Sequence, residues 1–167
     1  GIVHRLDKGT SGVMLVARTD SSHRNLATQF AARSVEKTYL ALVEGRVHAD
    51  SGRITKPIAR DPVHRTRMTA GLGSGRAALT DWRVLRRFEK FTYLEVRIGT
   101  GRTHQIRVHL ANARHPVAGD RLYGGKAAGR IFLHAWRIGF VSPATGERVA
   151  VEAPLPDELE AWLARLV

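Results

Sequence analysis

The chain has 167 residues, 43% of them hydrophobic and 25% charged, enough for one domain with a real core and too apolar for a disordered chain. No window approaches ~18 uninterrupted apolar residues, so no membrane span is predicted, and the absence of cysteine excludes disulfide scaffolds, thiolate zinc sites and thiol catalysis. Lysine and arginine number 27 against 15 acids, a net charge of +12, and 22 of the 27 are arginine, a balance that favours a phosphate polymer as partner.

The first candidate element is the apolar run Val13 to Ala17, which reads as a buried strand after a Thr-Ser-Gly turn. Asp20, Ser21 and Ser22 offer an N-cap to a helix over His23 to Arg33. Lys37 to Val43 reads as a strand closed by Gly45, and residues 50 to 76 hold most of the turn chemistry. Thr80 to Phe88 and Phe91 to Ile98 predict paired strands around Glu89-Lys90. Helical spacing of Ile106, Leu110 and Ala113 predicts a helix over Thr103 to Ala113, followed by a strand over Ile131 to Val141. After Pro154 and Pro156, Asp157 is expected to cap a terminal amphipathic helix carrying Leu159, Trp162, Leu163 and Leu166. Strands outnumber helices without strict alternation. The expected fold is α+β, a mixed, mainly antiparallel sheet with flanking helices in a single domain.

Two constellations carry chemistry. In His4 to Gly12, Asp7 is flanked by Arg5 and Lys8 and followed by a small-residue turn. Nearby cations favour an ionised carboxylate that can act as nucleophile or base. The same residues also fit a plain surface turn in which Asp7 pairs with Arg5. The second runs from Gly99 to His109, a strand leading through a Gly-x-Gly turn into a helix whose first amides, with Arg102, suit an anion. Arg107 lies one helical turn beyond Thr103, placed to reach a neighbouring carboxylate. His104 and His109 stand five apart and do not share a helical face, so no metal site is expected. Tyr39, the Asp120 to Gly125 turn, His134, Trp136 and Trp162 all have ordinary packing roles available to them.

Together these segments resemble the RluA/RluD family of pseudouridine synthases. The resemblance rests on HRLDKGTSG at 4–12, KTYLALVEG at 37–45, GRTHQIRVHLANARHPVAGDRLYGG at 101–125, LHAWRIGF at 133–140 and EAPLPDEL at 152–159, in that order over essentially the whole chain. It implies the pseudouridine synthase catalytic fold and isomerisation of uridine in RNA to pseudouridine, without cofactor or metal. Asp7 falls on the family's catalytic aspartate, Arg107 on its active-site arginine and Tyr39 on its active-site tyrosine. Ile106 and Leu133 would wall the base. Arg102 and His104 would contact RNA, and Arg5 would fill the space left by a flipped nucleotide. Ribosomal RNA is the expected partner, with transfer RNA as the other candidate, in a cytoplasmic monomer. The earlier strands and upstream RNA-binding domain usual in the family do not precede HRLD, so an open sheet edge is expected. The rival expectation is an RNA-binding module or fragment without catalysis. A DNA-binding domain lacks helix-turn-helix or finger spacing, and a metal-dependent hydrolase lacks clustered ligands.

Overall fold

Alternating β-branched, aromatic and polar residues build the larger part of the molecule. The computed structural model describes residues 1–167. In chain order it contains β1 (Ser11–Gly12), α1 (Asp20–Ala31), β2 (Glu36–Glu44), β3 (Ser51–Ile54), β4 (Ile58–Arg60), β5 (Met68–Ala70), β6 (Thr80–Arg87) and β7 (Phe91–Ile98). These are followed by α2 (Gln105–Asn112), a 3₁₀ turn (Arg121–Tyr123), β8 (Leu133–Val141), β9 (Arg148–Glu152) and α3 (Asp157–Ala164). Seven strands form one sheet in the order β1-β8-β2-β7-β6-β3, with β9 also beside β8, while β4 and β5 make a separate ribbon. Only β1 runs parallel to its neighbour. The architecture is the mixed, mainly antiparallel α+β sheet expected. Its open edges are β3 at one end and the β1 and β9 side of β8 at the other.

The central strand is covered on both faces. In β2, Leu40 to Val43 are all buried, the continuous apolar run of a strand with protein above and below. Ala41 and Val43 join Leu94, Val96 and Leu133 in packing against Ile106 and Leu110 of α2. Leu42 and Phe132 face the other way, in a cluster with Leu159 and Trp162 of α3. Each fully buried Leu or Phe contributes about 1.5–3 kcal/mol relative to exposure. The two clusters therefore clamp α2 to one face and α3 to the opposite one.

Several expected boundaries move. Val13 to Ala17 is no buried strand: only Val16 makes a bridge, to Ile2, and Met14 and Val16 stay exposed. There the backbone finds other partners, Leu15 N–H donating to His4 Nε2 at 2.8 Å. The first helix starts at Asp20 because Thr19 caps it, its hydroxyl accepting the Ser22 amide at 3.2 Å. Residues 50 to 76 hold three short strands among their turns. β3 pairs with β6, and β4 pairs with β5. The second helix begins at Gln105, because His104 takes a left-handed backbone (φ 54°). In α3 the capping position is Pro156, and Asp157 is the first helical residue, its charge favourably placed beside the helix N-terminus.

Candidate active site

Asp7 sits on a segment that several bonds hold against β8. Ser11 Oγ lies 2.9 Å from His134 Nδ1, and His134 Nε2 lies 2.9 Å from the Ala153 carbonyl. His134 thus bridges the Ser11 hydroxyl and the Ala153 carbonyl through its two ring nitrogens. Arg130 donates to the Gly9 carbonyl at 3.0 Å and to Ser11 Oγ at 2.8 Å, and also pairs with Glu158 of α3. Gly12 has φ 121°, and a Cβ there would lie 2.1 Å from the Ala135 carbonyl oxygen, so only glycine permits this approach. The segment is thereby rigid where it presents Asp7.

Opposite it stands Arg107 on α2. One guanidinium nitrogen lies 3.7 Å from Asp7 Oδ2. The tighter partner is Asp120, which receives Nε at 2.6 Å and a terminal nitrogen at 2.8 Å in a two-point fork. Asp120 is 2% exposed and Arg107 8%. The guanidinium also lies 5.0 Å from the Tyr123 ring centre. Burial works against the Arg107 charge, but Asp120's hydrogen bonds and charge, then Asp7's, outweigh it and hold the pKa above its ordinary value. Asp120 thus fixes the plane of Arg107 while leaving another edge of it for Asp7.

The helix entrance is locked by Gln105, which is buried and bonded at both ends of its amide. Oε1 accepts from Thr100 Oγ1 at 2.6 Å and the Arg102 amide at 3.1 Å, while Nε2 donates to the Leu79 carbonyl at 2.8 Å and Thr80 Oγ1 at 3.0 Å. The Arg102 amide, just before the helix, is therefore already engaged. Arg102 Nε donates to the Ala77 carbonyl at 3.0 Å. Tyr39 rides on β2 at a register shift between Thr38 and Tyr39, the kind of bulge that re-aims a side chain. Burial, with the Asp7 charge adding to it, pushes the Tyr39 phenol up to about 12. Its hydroxyl is a donor across the neutral range.

Asp7, Tyr39, Arg102, Ile106 and Leu133 line one cleft of about 110 Å³, with Arg5, Leu6 and Thr10 at its wall. Arg107 meets this group through Asp7. His104 is not part of the lining: its Nδ1 lies 2.8 Å from Tyr123 Oη, which also accepts the Met68 amide at 2.9 Å. Tyr123 thus donates to a neutral His104, whose pKa is lowered by burial and then by Arg107. Thr10 Oγ1 is the single buried side-chain polar atom with no hydrogen-bond partner. No group of three or more His, Asp or Glu side chains stands close enough to hold a metal ion. Sequence reasoning named the Asp120 to Gly125 turn and His134 but gave them only packing roles, and it did not single out Gln105. The available signal was the glycine spacing around Asp120, since a Cβ on Gly119 would lie 2.0 Å from the Arg130 carbonyl oxygen and one on Gly125 2.3 Å from that of Val117.

Known proteins resemble this chain in sequence and fold. Residues 1–112 match the family model described as RNA pseudouridylate synthase. A protein of Aquifex aeolicus named as an uncharacterized RNA pseudouridine synthase is 46% identical, over 98% of this chain and 56% of its own length. Ribosomal large subunit pseudouridine synthase D of Nitrosomonas europaea is 44% identical, over 98% of this chain and 50% of its own. The chain spans about half the length of these curated relatives. Among solved structures, human RNA Pseudouridylate Synthase Domain Containing 1 superposes with a TM-score of 0.85 at 31% identity, covering 96% of this chain and 71% of the human one. A family model that matches residues 1–112 of the 167, together with relatives this similar, establishes that the chain belongs to the RNA pseudouridylate synthase family.

Proposed function

We propose that the chain isomerises specific uridines in RNA to pseudouridine, with Asp7 as the acting carboxylate and ribosomal RNA as substrate. The observation that carries this reading is Asp7 held 3.7 Å from Arg107 at a cleft walled by Tyr39, Ile106 and Leu133. The N1–C1′ bond breaks, the uracil turns, and C5 joins C1′ while the C5 proton is lost and N1 regains one, so no atom is gained or lost overall. Asp7 either attacks the nucleotide or removes a ribose proton. Both roles need an ionised carboxylate, and Arg107 stands 3.7 Å away as its countercharge. The Tyr39 ring stacks on the base and its protonated hydroxyl lies toward the C5 side. Ile106 and Leu133 exclude water from the detached uracil, which water would otherwise carry off to leave an abasic site. Arg5 and Arg102, at the exposed wall, meet the backbone of the extruded nucleotide, and extrusion itself costs a few kcal/mol. The ribosomal assignment is supported by relatives named for large-subunit modification.

The test is Asp7→Asn assayed on RNA with a tritium-release or mass-spectrometric readout. Pseudouridine formation is expected to vanish while RNA binding persists. Normal isomerisation by this variant would sink the assignment, and RNA binding by the wild type without any product would favour a binding module.

A further inference from the structure

Resting on the reading of this site as an RNA isomerase, we propose that Tyr123 is a positioning residue for the reaction. It acts through Arg107, holding the guanidinium at the tilt that turns one nitrogen to Asp7, and its hydroxyl ties that seat to the β4–β5 ribbon. The need for such a seat follows from the geometry of the fork. Asp120 takes Nε and Nη2 of Arg107. Two points define a line, and the fork alone resists hinging about that line only weakly. Nη1 lies off the line, and Nη1 is the nitrogen 3.7 Å from Asp7 Oδ2. A small hinge motion therefore moves the countercharge of the acting carboxylate while both Asp120 bonds survive.

The Tyr123 ring supplies the missing constraint. Its centre lies 5.0 Å from Arg107 Cζ, within cation–π range, an attraction that strengthens where both partners are desolvated. Both are buried. The same ring also carries Arg67, the residue that leads into β5, at 5.6 Å. Phe30 and Phe88, the other rings that meet a cation, take one each. Tyr123 and Asp120 belong to one 3₁₀ turn, in which the Tyr123 amide donates to the Asp120 carbonyl at 3.2 Å. One short turn thus offers the arginine both the fork and the wall.

The ring is itself pinned. Its hydroxyl accepts the Met68 amide of β5 at 2.9 Å and lies 2.8 Å from His104 Nδ1. Ile58 and Ala70 of the ribbon and Val108 of α2 pack in the same cluster. Burial raises the phenol's pKa against the opposing effects of the Met68 amide and Arg107, so the hydroxyl keeps its proton across the neutral range. The backbone adds a second observation. Among the non-glycine residues with positive φ, Arg33 and Arg114 follow helices, where a left-handed turn is common. His104, at φ 54°, instead precedes one, in the capping position where extended backbone is usual. Such a conformation persists where surrounding contacts over-determine it, and the Tyr123 hydroxyl is the partner of that side chain. The hydroxyl thus fixes the entrance of α2, the helix that carries Arg107.

The experiment compares Tyr123→Leu, which loses ring and hydroxyl, Tyr123→Phe, which keeps the ring, and Phe88→Leu. Phe88 is buried in the cluster on the opposite face of the sheet, so its variant loses packing without touching the seat. Steady-state kinetics on unmodified large-subunit ribosomal RNA transcripts and melting points are measured for each, and the crystal structure of the Leu variant is solved. The Leu variant is expected to lose about 10²-fold in kcat, as for a misplacement of about 1 Å, with KM little changed. The Phe variant is expected to recover to within about tenfold of the wild type, the remainder reflecting the lost hydrogen bonds. Phe88→Leu keeps the wild-type kcat at a lowered melting point. Equal kcat in the Leu and Phe variants, a loss confined to KM, or an equal kcat loss in Phe88→Leu would overturn the seat. A wild type that makes no pseudouridine removes the isomerase reading, and the Leu structure then decides alone: Arg107 shifted from Asp7 upholds the seat, and Arg107 unmoved overturns it.

Discussion

The arginines of the outer strands and those around the cleft carry the same charge and meet opposite environments. On β3, β6 and β7, Arg53 forks onto Asp81 at 2.6 and 3.1 Å, and Glu95 takes Arg83 at 2.7 Å and Arg97 at 3.1 Å. The Glu95 pKa is lowered by the Arg83 hydrogen bond and the two arginine charges, against the opposing effect of burial. Near the cleft, Arg5, Arg33 and Arg76 have no such partner. Arg107 stands between these cases, satisfied by a buried Asp120 on one edge and open to Asp7 on another. On this sheet surface carboxylates neutralise Arg53, Arg83 and Arg97, whereas around the cleft only Arg107 meets one.

The comparison breaks hardest at Asp120. Asp120→Ala takes the two-point fork from a buried arginine and leaves it only the 3.7 Å contact with Asp7, which is expected to cost about 3 kcal/mol in denaturant unfolding. Asp120→Asn keeps the size but loosens the fork. With Arg107 misplaced by an ångström, kcat is expected to fall about 10²-fold with little change in KM, and Asp120→Glu should recover part of it. A fall in stability with an unaltered kcat would confine Asp120 to a structural role.

A second, smaller effect concerns cations that the fold avoids making. Burial is the leading cause that holds the pKa values of His4, His104 and His109 below 6.5. His109 is 0% exposed, with Nε2 on the Lys56 carbonyl at 2.8 Å and Nδ1 on Thr80 Oγ1 at 2.9 Å. Below about pH 6.5 the unfolded chain takes up protons before the folded one does, so stability is lost as pH falls from there through the lowered folded values. Thermal unfolding followed from pH 8 to pH 5 should show the midpoint dropping in that window, and His109→Gln should shrink the drop.

The smallest effect sharpens the contrast for an uncharged group. Thr10 Oγ1 is buried at the cleft without a partner, and Thr10→Val removes that hydroxyl at nearly constant volume. If the hydroxyl is unpaired until substrate arrives, the variant gains about 1 kcal/mol and melts about 2–4 °C higher, while its KM rises. A lower melting point would show that the hydroxyl is satisfied in the free protein.

Much of the fold was legible because its signals are local. The β6–β7 hairpin follows from aromatic and β-branched residues on either side of Glu89-Lys90, and the terminal helix from the spacing of Leu159, Trp162 and Leu163. The apolar run Val13 to Ala17 misled, since periodicity reports which side chains pack but not whether a backbone partner is present. Short strands such as Ile58–Arg60 escaped because a few residues among prolines and glycines carry no period, and their pairing is decided by distant segments.

The same division holds at the site. The segment around Asp7, the tyrosine of β2 and the arginine of α2 could be assembled from the sequence by themselves, because each lies in a recognisable run of neighbours. That Arg107 is shared between Asp7 and Asp120 and that His134 anchors the Asp7 segment came only from the tertiary structure. The physical reason is range. Propensity, capping and turn chemistry act over a few consecutive residues, whereas a charge takes its partner from whatever the packed chain brings within a few ångströms, here across 13 positions for Arg107 and Asp120.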